Sequence, residues 1–154
     1  MNTEQHIAIR QATVSDLDLL APIFDAYRQF YRKQPDLALA RRFLFDRLQH
    51  NESIIFVALQ GSDSAVGFTQ LFPSFSSGAA APIFVLNDLY VVPAARRIGV
   101  GRALLRAAAD FSKRLGAVRL TMSTEVTNES AQALYEAEGW KRQTDYFVYT
   151  LSLD

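Results

Sequence analysis

Between residues 84 and 116 the chain changes its hydrophobic period, and it does so across a basic, glycine-bearing turn. Residues 83–92 form a run rich in β-branched and aromatic side chains that Pro93 ends, so they read as a strand. From Val100 onward apolar residues recur at helical intervals, at Leu104, Ala107, Phe111 and Leu115, and Gly116 is placed to end a helix. Between the two lies Arg96-Arg97-Ile98-Gly99-Val100-Gly101. The first amides of a helix lack intrahelical acceptors, and the macrodipole adds partial positive charge there. Gly99 and Gly101 let a bulky anion approach the backbone, and Arg96, Arg97 and Arg102 surround it with fixed charge. The turn is expected to hold a pyrophosphate through the amides of residues 97–102. It is not a P-loop, since no Gly-Lys-Ser/Thr follows, and it lacks the third glycine of a dinucleotide fingerprint.

Upstream, residues 7–10 alternate as a first strand, and Thr13-Val14-Ser15-Asp16 resembles a capping box. Leu17, Leu20, Phe24, Tyr27 and Tyr31 then mark one stripe of a helix that Pro22 should bend or interrupt. Residues 37–50 read as a second helix with Leu37, Leu44 and Leu48 inward. Residues 53–60 and 65–72 read as a hairpin around Gly61-Ser62-Asp63-Ser64, with Gly67 marking a bulge or a close backbone approach. Residues 73–82 are small and polar, a mobile loop in this reading. Downstream of Gly116 come a strand over 117–123, a short helix that Asn128 can cap and Gly139 ends, and an alternating last strand over 146–153. The order β-α-α-β-β-β-α-β-α-β describes an α/β fold with a mixed sheet.

At 154 residues the chain is expected to be a single domain over 1–154. Its net charge of zero gives no reason to expect nucleic acid or a membrane surface as a partner, so local basic clusters read as sites. It has no cysteine, which removes disulfides, thiolate metal sites and a cysteine acyl-enzyme together; with only two histidines, His6 and His50, no metal site is expected. No secretory leader pattern or apolar stretch of ~18 residues is visible, so a cytoplasmic protein is expected.

The series strand, Val-Pro, Arg96-x-x-Gly99-x-Gly101, amphipathic helix resembles the coenzyme A loop of the GNAT superfamily of N-acetyltransferases, with all three defining positions filled. A second stretch, Asn128-Glu129-Ser130-Ala131-Gln132-Ala133-Leu134-Tyr135-Glu136-Ala137-Glu138-Gly139-Trp140, is similar to that family's N-x-x-A-x-x-L/F-Y-x-x-x-G-F/W pattern. The element order matches too, so the resemblance covers nearly the whole chain. It implies a GNAT fold, with a mostly antiparallel mixed sheet whose central strands splay apart, flanked by helices. It also implies acetyl-CoA as cosubstrate, direct transfer to an amine in a ternary complex, and a homodimer. YRQFYRKQPDL and LNDLYV are loosely similar to polyamine- and histone-acetylating branches, which leaves the acceptor open between a small molecule and a protein amine.

The resemblance also assigns roles. The backbones of Leu89, Val91 and Val92 would meet the pantetheine arm and the acetyl carbonyl, and Arg96, Arg97, Ile98, Gly99, Val100, Gly101 and Arg102 the pyrophosphate. Tyr135 would protonate the departing thiolate, which an ordinary phenol, titrating at ~10, can do at neutral pH; by period alone it reads as a packed helix aromatic, and it is the surrounding Asn128…Gly139-Trp140 pattern that assigns it the role. Asn128 caps its helix, contacts the cofactor, or does both. An alkylamine must lose a proton, and Asp88 is the first candidate to take it, Glu125 the second; Asp88 could equally bind the amine or serve structure, and water could suffice. Tyr27 and Tyr31 would line the acceptor pocket or simply pack, while Asp25, Asp88 and Glu125 could attract a cation. A non-catalytic acyl-CoA-binding module is the rival reading, one that needs no Tyr135.

Overall fold

The computed structural model describes residues 6–154. By its internal contacts the chain divides into two compact units, Met1–Ser123 and Thr124–Asp154. The first unit holds strands β1 (Ile7–Gln11), β2 (Ile54–Gln60), β3 (Ser64–Ser76), β4 (Ala81–Val91) and β5 (Leu120–Thr121), with helices α1 (Leu17–Phe30), α2 (Leu37–Gln49) and α3 (Val100–Arg114). The sheet runs β1-β2-β3-β4-β5, antiparallel except for the parallel β4–β5 pair. The second unit carries α4 (Glu129–Ala137).

Five successive residues of β2, Ile55 to Leu59, are buried, which demands cover on both sheet faces. Ile55, Val57 and Leu59 pack with Phe68 against Leu20, Phe24 and Leu44 of α1 and α2. Phe56, on the opposite face, meets Phe111 of α3 edge-on at 5.6 Å. The sheet is thus sandwiched between α1–α2 and α3. Phe68 is fully buried beneath Phe24 and Tyr27, so Phe68→Ala should cost about 3–5 kcal/mol.

Several expectations need correction. Helix α1 passes through Pro22 without interruption. Pro22 lacks the N–H that would bond to the Asp18 carbonyl, so one intrahelical bond is forgone, while Leu20, Ala21, Ile23 and Phe24 around it stay buried. Residues 73–82 are not a loop, because β3 continues to Ser76 and β4 begins at Ala81. Pro73 is tolerated there because β2 pairing ends at Leu71, leaving β3 an edge strand beyond it. In α2, Ala40 and Leu44 are the buried residues, and Leu37, in the first turn, is exposed. The buried stripe of α3 is Val100, Leu104, Leu105, Ala108 and Ser112; Leu115, past the helix end, is exposed. The strand expected over 117–123 pairs only at Leu120 and Thr121. Residues 146–153 form no strand, having no ladder partner among the described residues.

Candidate active site

Helix α3 is placed by Gly67. A Cβ on that residue would lie 3.0 Å from the Tyr90 carbonyl oxygen, 3.2 Å from Val100 and 3.3 Å from Leu104. A glycine lets α3 settle this close to the sheet without crowding, whereas a Cβ would make the Tyr90 carbonyl, Val100 or Leu104 give by a few tenths of an ångström. The same spot is irregular in pairing, since Ala58 faces Gly67 while Leu59 faces Ala65. The start of α3 is therefore pinned beside the end of β4.

The turn into α3 is built from two left-handed residues. After a 3-10 turn at Pro93–Ala95, Arg97 has φ +65° and Gly99 φ +91°. A glycine adopts that region freely, but for arginine it is uncommon, and such conformations gather at ligand-binding turns. No side chain caps α3, and its first turn carries no acidic residue. The Ala103 amide donates to the Gly99 carbonyl at 3.0 Å, so the amides before it belong to the set that a helix cannot satisfy internally. Open space surrounds the Cβ position of Gly99. Arg97, Ile98, Gly99 and Arg102 are exposed, Gly101 is half-buried and Val100 anchors the turn in the core. An exposed row of amides under arginine charge suits an anion of pyrophosphate size.

Arg96 does more than add charge. Its Nε donates to the Val91 carbonyl at 2.9 Å, and its guanidinium lies over the rings of Tyr90, at 5.7 Å, and Phe30, at 5.9 Å. It clips the turn to the end of β4 and to the last residue of α1. Those two rings belong to an aromatic group with Tyr27 and Tyr31, whose centroids are 5.0 Å apart, and Tyr27 is 6.3 Å from Tyr90. The structure therefore brings Tyr27 and Tyr31 together with the basic turn. Tyr90 and Phe30 were not singled out from the sequence. The signal was there, in an aromatic two residues before Val92 and another beside Tyr31 at a helix end.

Strand β4 is paired with β5 only at Phe84–Leu120 and Val85–Thr121. From Leu86 to Val91 it pairs with β3 alone among the described residues, with Leu89 opposite Thr69 and Val91 opposite Gly67. One backbone edge at Leu89 and Val91 is thus left unladdered, which is the splay expected of these strands. Val92 donates to the Val66 carbonyl at 2.9 Å.

Asp88 is 4% exposed and lies where the pairing of β3 with β4 slips. Its Oδ2 accepts from Gln70 at 2.5 Å and its Oδ1 from Asn87 at 2.9 Å. The Gln70 side-chain oxygen Oε1 beside it is buried with no hydrogen-bond partner among the described residues. Asp25 is committed elsewhere, accepting from Arg28 at 2.7 Å and from the Asp36 amide at 3.1 Å. In the second unit, the Asn128 side chain caps α4 by accepting from the Ala131 amide at 3.2 Å. Tyr135 is half-buried, 6.3 Å from Trp140 between ring centroids, and Gly139, at φ +88°, follows the helix end. Glu125 is exposed, and its carbonyl accepts from the Asn128 amide at 3.0 Å. No group of three or more histidine, cysteine, aspartate or glutamate side chains suited to a metal occurs among the described residues.

Comparison with known proteins agrees with this geometry. Residues 20–140 match the model of the acetyltransferase (GNAT) family. The chain is 46% identical over 145 residues to the uncharacterised N-acetyltransferase YhfO of Bacillus subtilis, covering 94% of this chain and 97% of that protein. A probable acetyltransferase of Haemophilus influenzae is 35% identical, with 90% and 92% covered. The crystal structure of a probable acetyltransferase, 42% identical, superposes with a TM-score of 0.91 over 96% of this chain and 98% of that one. The chain belongs to the GNAT family of acetyltransferases and is an enzyme of that class.

Proposed function

We propose that the whole chain works as one cytoplasmic N-acetyltransferase domain, assembled as a homodimer, that moves an acetyl group from acetyl-CoA to a primary amine in a ternary complex. The acceptor is a small molecule such as a polyamine, or an amine on a protein. The observation that carries this reading is the start of α3, an uncapped and exposed row of amides between the left-handed residues Arg97 and Gly99.

When bound, acetyl-CoA supplies the activated acetyl thioester. The amides of residues 97–102 hold its pyrophosphate, with Arg97 and Arg102 adding charge. The unladdered backbone of β4 at Leu89 and Val91, with Val92 following it, orients the acyl arm, and an N–H of that open edge that meets a developing oxyanion contributes ~3 kcal/mol. Tyr27 and Tyr31 line the acceptor side. Asp88 takes the ammonium, binding it and accepting its proton. Asn87 is exposed, so its amide can release Oδ1 to the incoming amine at the loss of one hydrogen bond, while Gln70 keeps Oδ2 fixed. Glu125 adds negative charge for a cationic acceptor, Asn128 contacts the cofactor while capping α4, and Tyr135 donates the proton that the leaving thiolate requires.

A panel of amines assayed by thiol release identifies the acceptor class; no release with any amine, alongside unimpaired acetyl-CoA binding, would refute the amine reading. Tyr135→Phe should keep donor affinity and lose about 100-fold or more in kcat, the low end for a general acid. Full turnover in that variant removes Tyr135 from the mechanism.

A further inference from the structure

Gln70 and Asp88 face each other across β3 and β4, inside the first unit, and both are almost wholly buried, at 1% and 4% exposure. Side chains two apart on a strand share a face. This pair therefore lies one step along the sheet from the paired Phe68 and Tyr90, on the face that Tyr27 of α1 covers. The Thr69 hydroxyl donates to the Asp88 backbone carbonyl at 2.8 Å and fixes the strand there. Two features set the pair apart from an ordinary structural hydrogen bond. The carboxylate is met by the neutral amides of Gln70 and Asn87 rather than by a cation. Gln70 Oε1 is buried and accepts from no donor among the described residues. A buried acceptor left unmet is costly, and so is a buried carboxylate without a counter-charge. Turning the Gln70 amide over cures neither, because Oε1 would then face a carboxylate oxygen, acceptor against acceptor.

Negative charge beside a surplus acceptor complements one kind of group, a cation with two or more N–H donors. We infer that Gln70 is a specificity-determining residue for the acceptor amine. In the function proposed above the amine displaces Asn87 from Asp88 Oδ1. The inference rests on that reading and adds that Gln70 Oε1 accepts a second N–H of the same ammonium. A protonated primary amine carries three N–H donors and a protonated secondary amine two, so either can serve the carboxylate and the amide together. A protonated tertiary amine carries one, and seating it on Asp88 leaves Oε1 unmet. The Tyr27 and Tyr90 rings on the same face suit the charge by cation–π attraction.

The test uses the full chain and four probes on one skeleton: butylammonium, N-methylbutylammonium, N,N-dimethylbutylammonium and butyltrimethylammonium. Binding is read by saturation-transfer nuclear magnetic resonance, with acetyl-CoA affinity and thiol release across the amine panel measured alongside. The first two probes should bind about tenfold or more tighter than the last two, the scale of one charge-assisted hydrogen bond. Gln70→Met has similar length and no such acceptor, and it should bring all four within about twofold while acetyl-CoA affinity holds. If Gln70 serves only to hold Asp88 in place, the variant weakens the probes alike and the preference survives, which overturns the inference. A parent without the preference, or one that binds no probe yet releases thiol with some amine, overturns it too and leaves the proposed function standing. Neither binding nor release removes both. Asp88→Asn gives a readout that needs no ligand and does not depend on Gln70→Met folding. It keeps an oxygen for Gln70 Nε2 and removes the buried charge, so the unfolding midpoint should rise by about 2–4 °C. A midpoint that stays level or falls would mean that the pair serves folding, and the inference fails.

Discussion

Helices α2 and α3 begin in opposite ways. At α2, the Asp36 carboxylate accepts from the Leu39 amide at 2.9 Å, and the Asp36 amide is taken up by Asp25. At α3, the N-cap is Gly99 in a left-handed conformation, no side chain reaches back, and arginines stand where an acid would be favourable. One start is completed by its own chain; the other is not, which is what the anion site proposed above requires.

The sharpest way to break this comparison is to give α3 the charge that α2 carries. Gly99→Asp places a carboxylate at the anion site, while Gly99→Asn keeps nearly the same shape and tolerates the left-handed region without the charge. The aspartate variant should lose about 100-fold or more in kcat/KM for acetyl-CoA, the scale of a misplaced donor, and the asparagine variant far less. Open space around the Gly99 Cβ position means that neither change clashes, so folding should survive in both. Equal losses would show that backbone shape, not charge, governs the turn.

Arg97 sharpens the same contrast on a smaller scale. Its φ of +65° costs an L-residue roughly 1–2 kcal/mol, which glycine escapes. Arg97→Gly should therefore raise thermal stability or leave it level while weakening acetyl-CoA binding about tenfold, the loss of one charge-assisted hydrogen bond. A variant less stable than the parent would mean that Arg97 serves folding and that its conformation carries no cost.

The basic turn, the helix after it, the Asn128 cap and the glycine ends at Gly116 and Gly139 were legible because each rests on local chemistry: a donor row, a side-chain acceptor or a left-handed φ. What could not be read depends on partners far away in sequence. The fully buried β2 does not say which helix covers which face. The α3 stripe turned out to run through Leu105, Ala108 and Ser112 because Gly67 sets how the helix sits. Residues 73–76 resemble a loop by composition and become strand only because β4 lies opposite. Residues 146–153 have the alternation of a strand, yet alternation names no partner, and no described residue pairs with them. At the site, Asp88 was visible as an acid on a strand; its clasp by Gln70 was not, since that pairing depends on where the strands slip.

The approach to α1 offers a third kind of helix start, one tied by a charge pair. Asp16 accepts from Arg10 at 2.7 and 2.9 Å and from the Thr13 amide at 2.7 Å. The Arg10 hydrogen bond, ahead of the Thr13 amide, holds the Asp16 carboxyl below the ordinary carboxylate range, against the opposing effect of burial. The folded chain thus binds this proton more weakly than the unfolded chain does. The resulting stability is complete above the ordinary carboxylate range and is lost as pH falls through the depressed folded value. Asp16→Asn should cost roughly 1–3 kcal/mol near neutrality, with Arg10 half exposed to soften the loss. Its unfolding midpoint should also fall less than the parent's on acidification. An unchanged acid dependence would mean that other carboxylates govern that limb.

The smallest effect belongs to α2 itself. Asp36→Ala removes the acceptor for the Leu39 amide but leaves the backbone contact to Asp25, so the cost should be that of one lost N-cap, about 1 kcal/mol. In a chain of this size that lowers the melting temperature by roughly 2–4 °C. The loss should not reach the donor site, because α3 is seated through Gly67, Val100 and Leu104, none of which touches that cap. The KM for acetyl-CoA should therefore stay at the parent value while the melting curve moves. If instead Asp36→Ala shifts KM as Gly99→Asp does, the capped and uncapped starts are not doing separate jobs, and the case for α3 as the anion site loses its control.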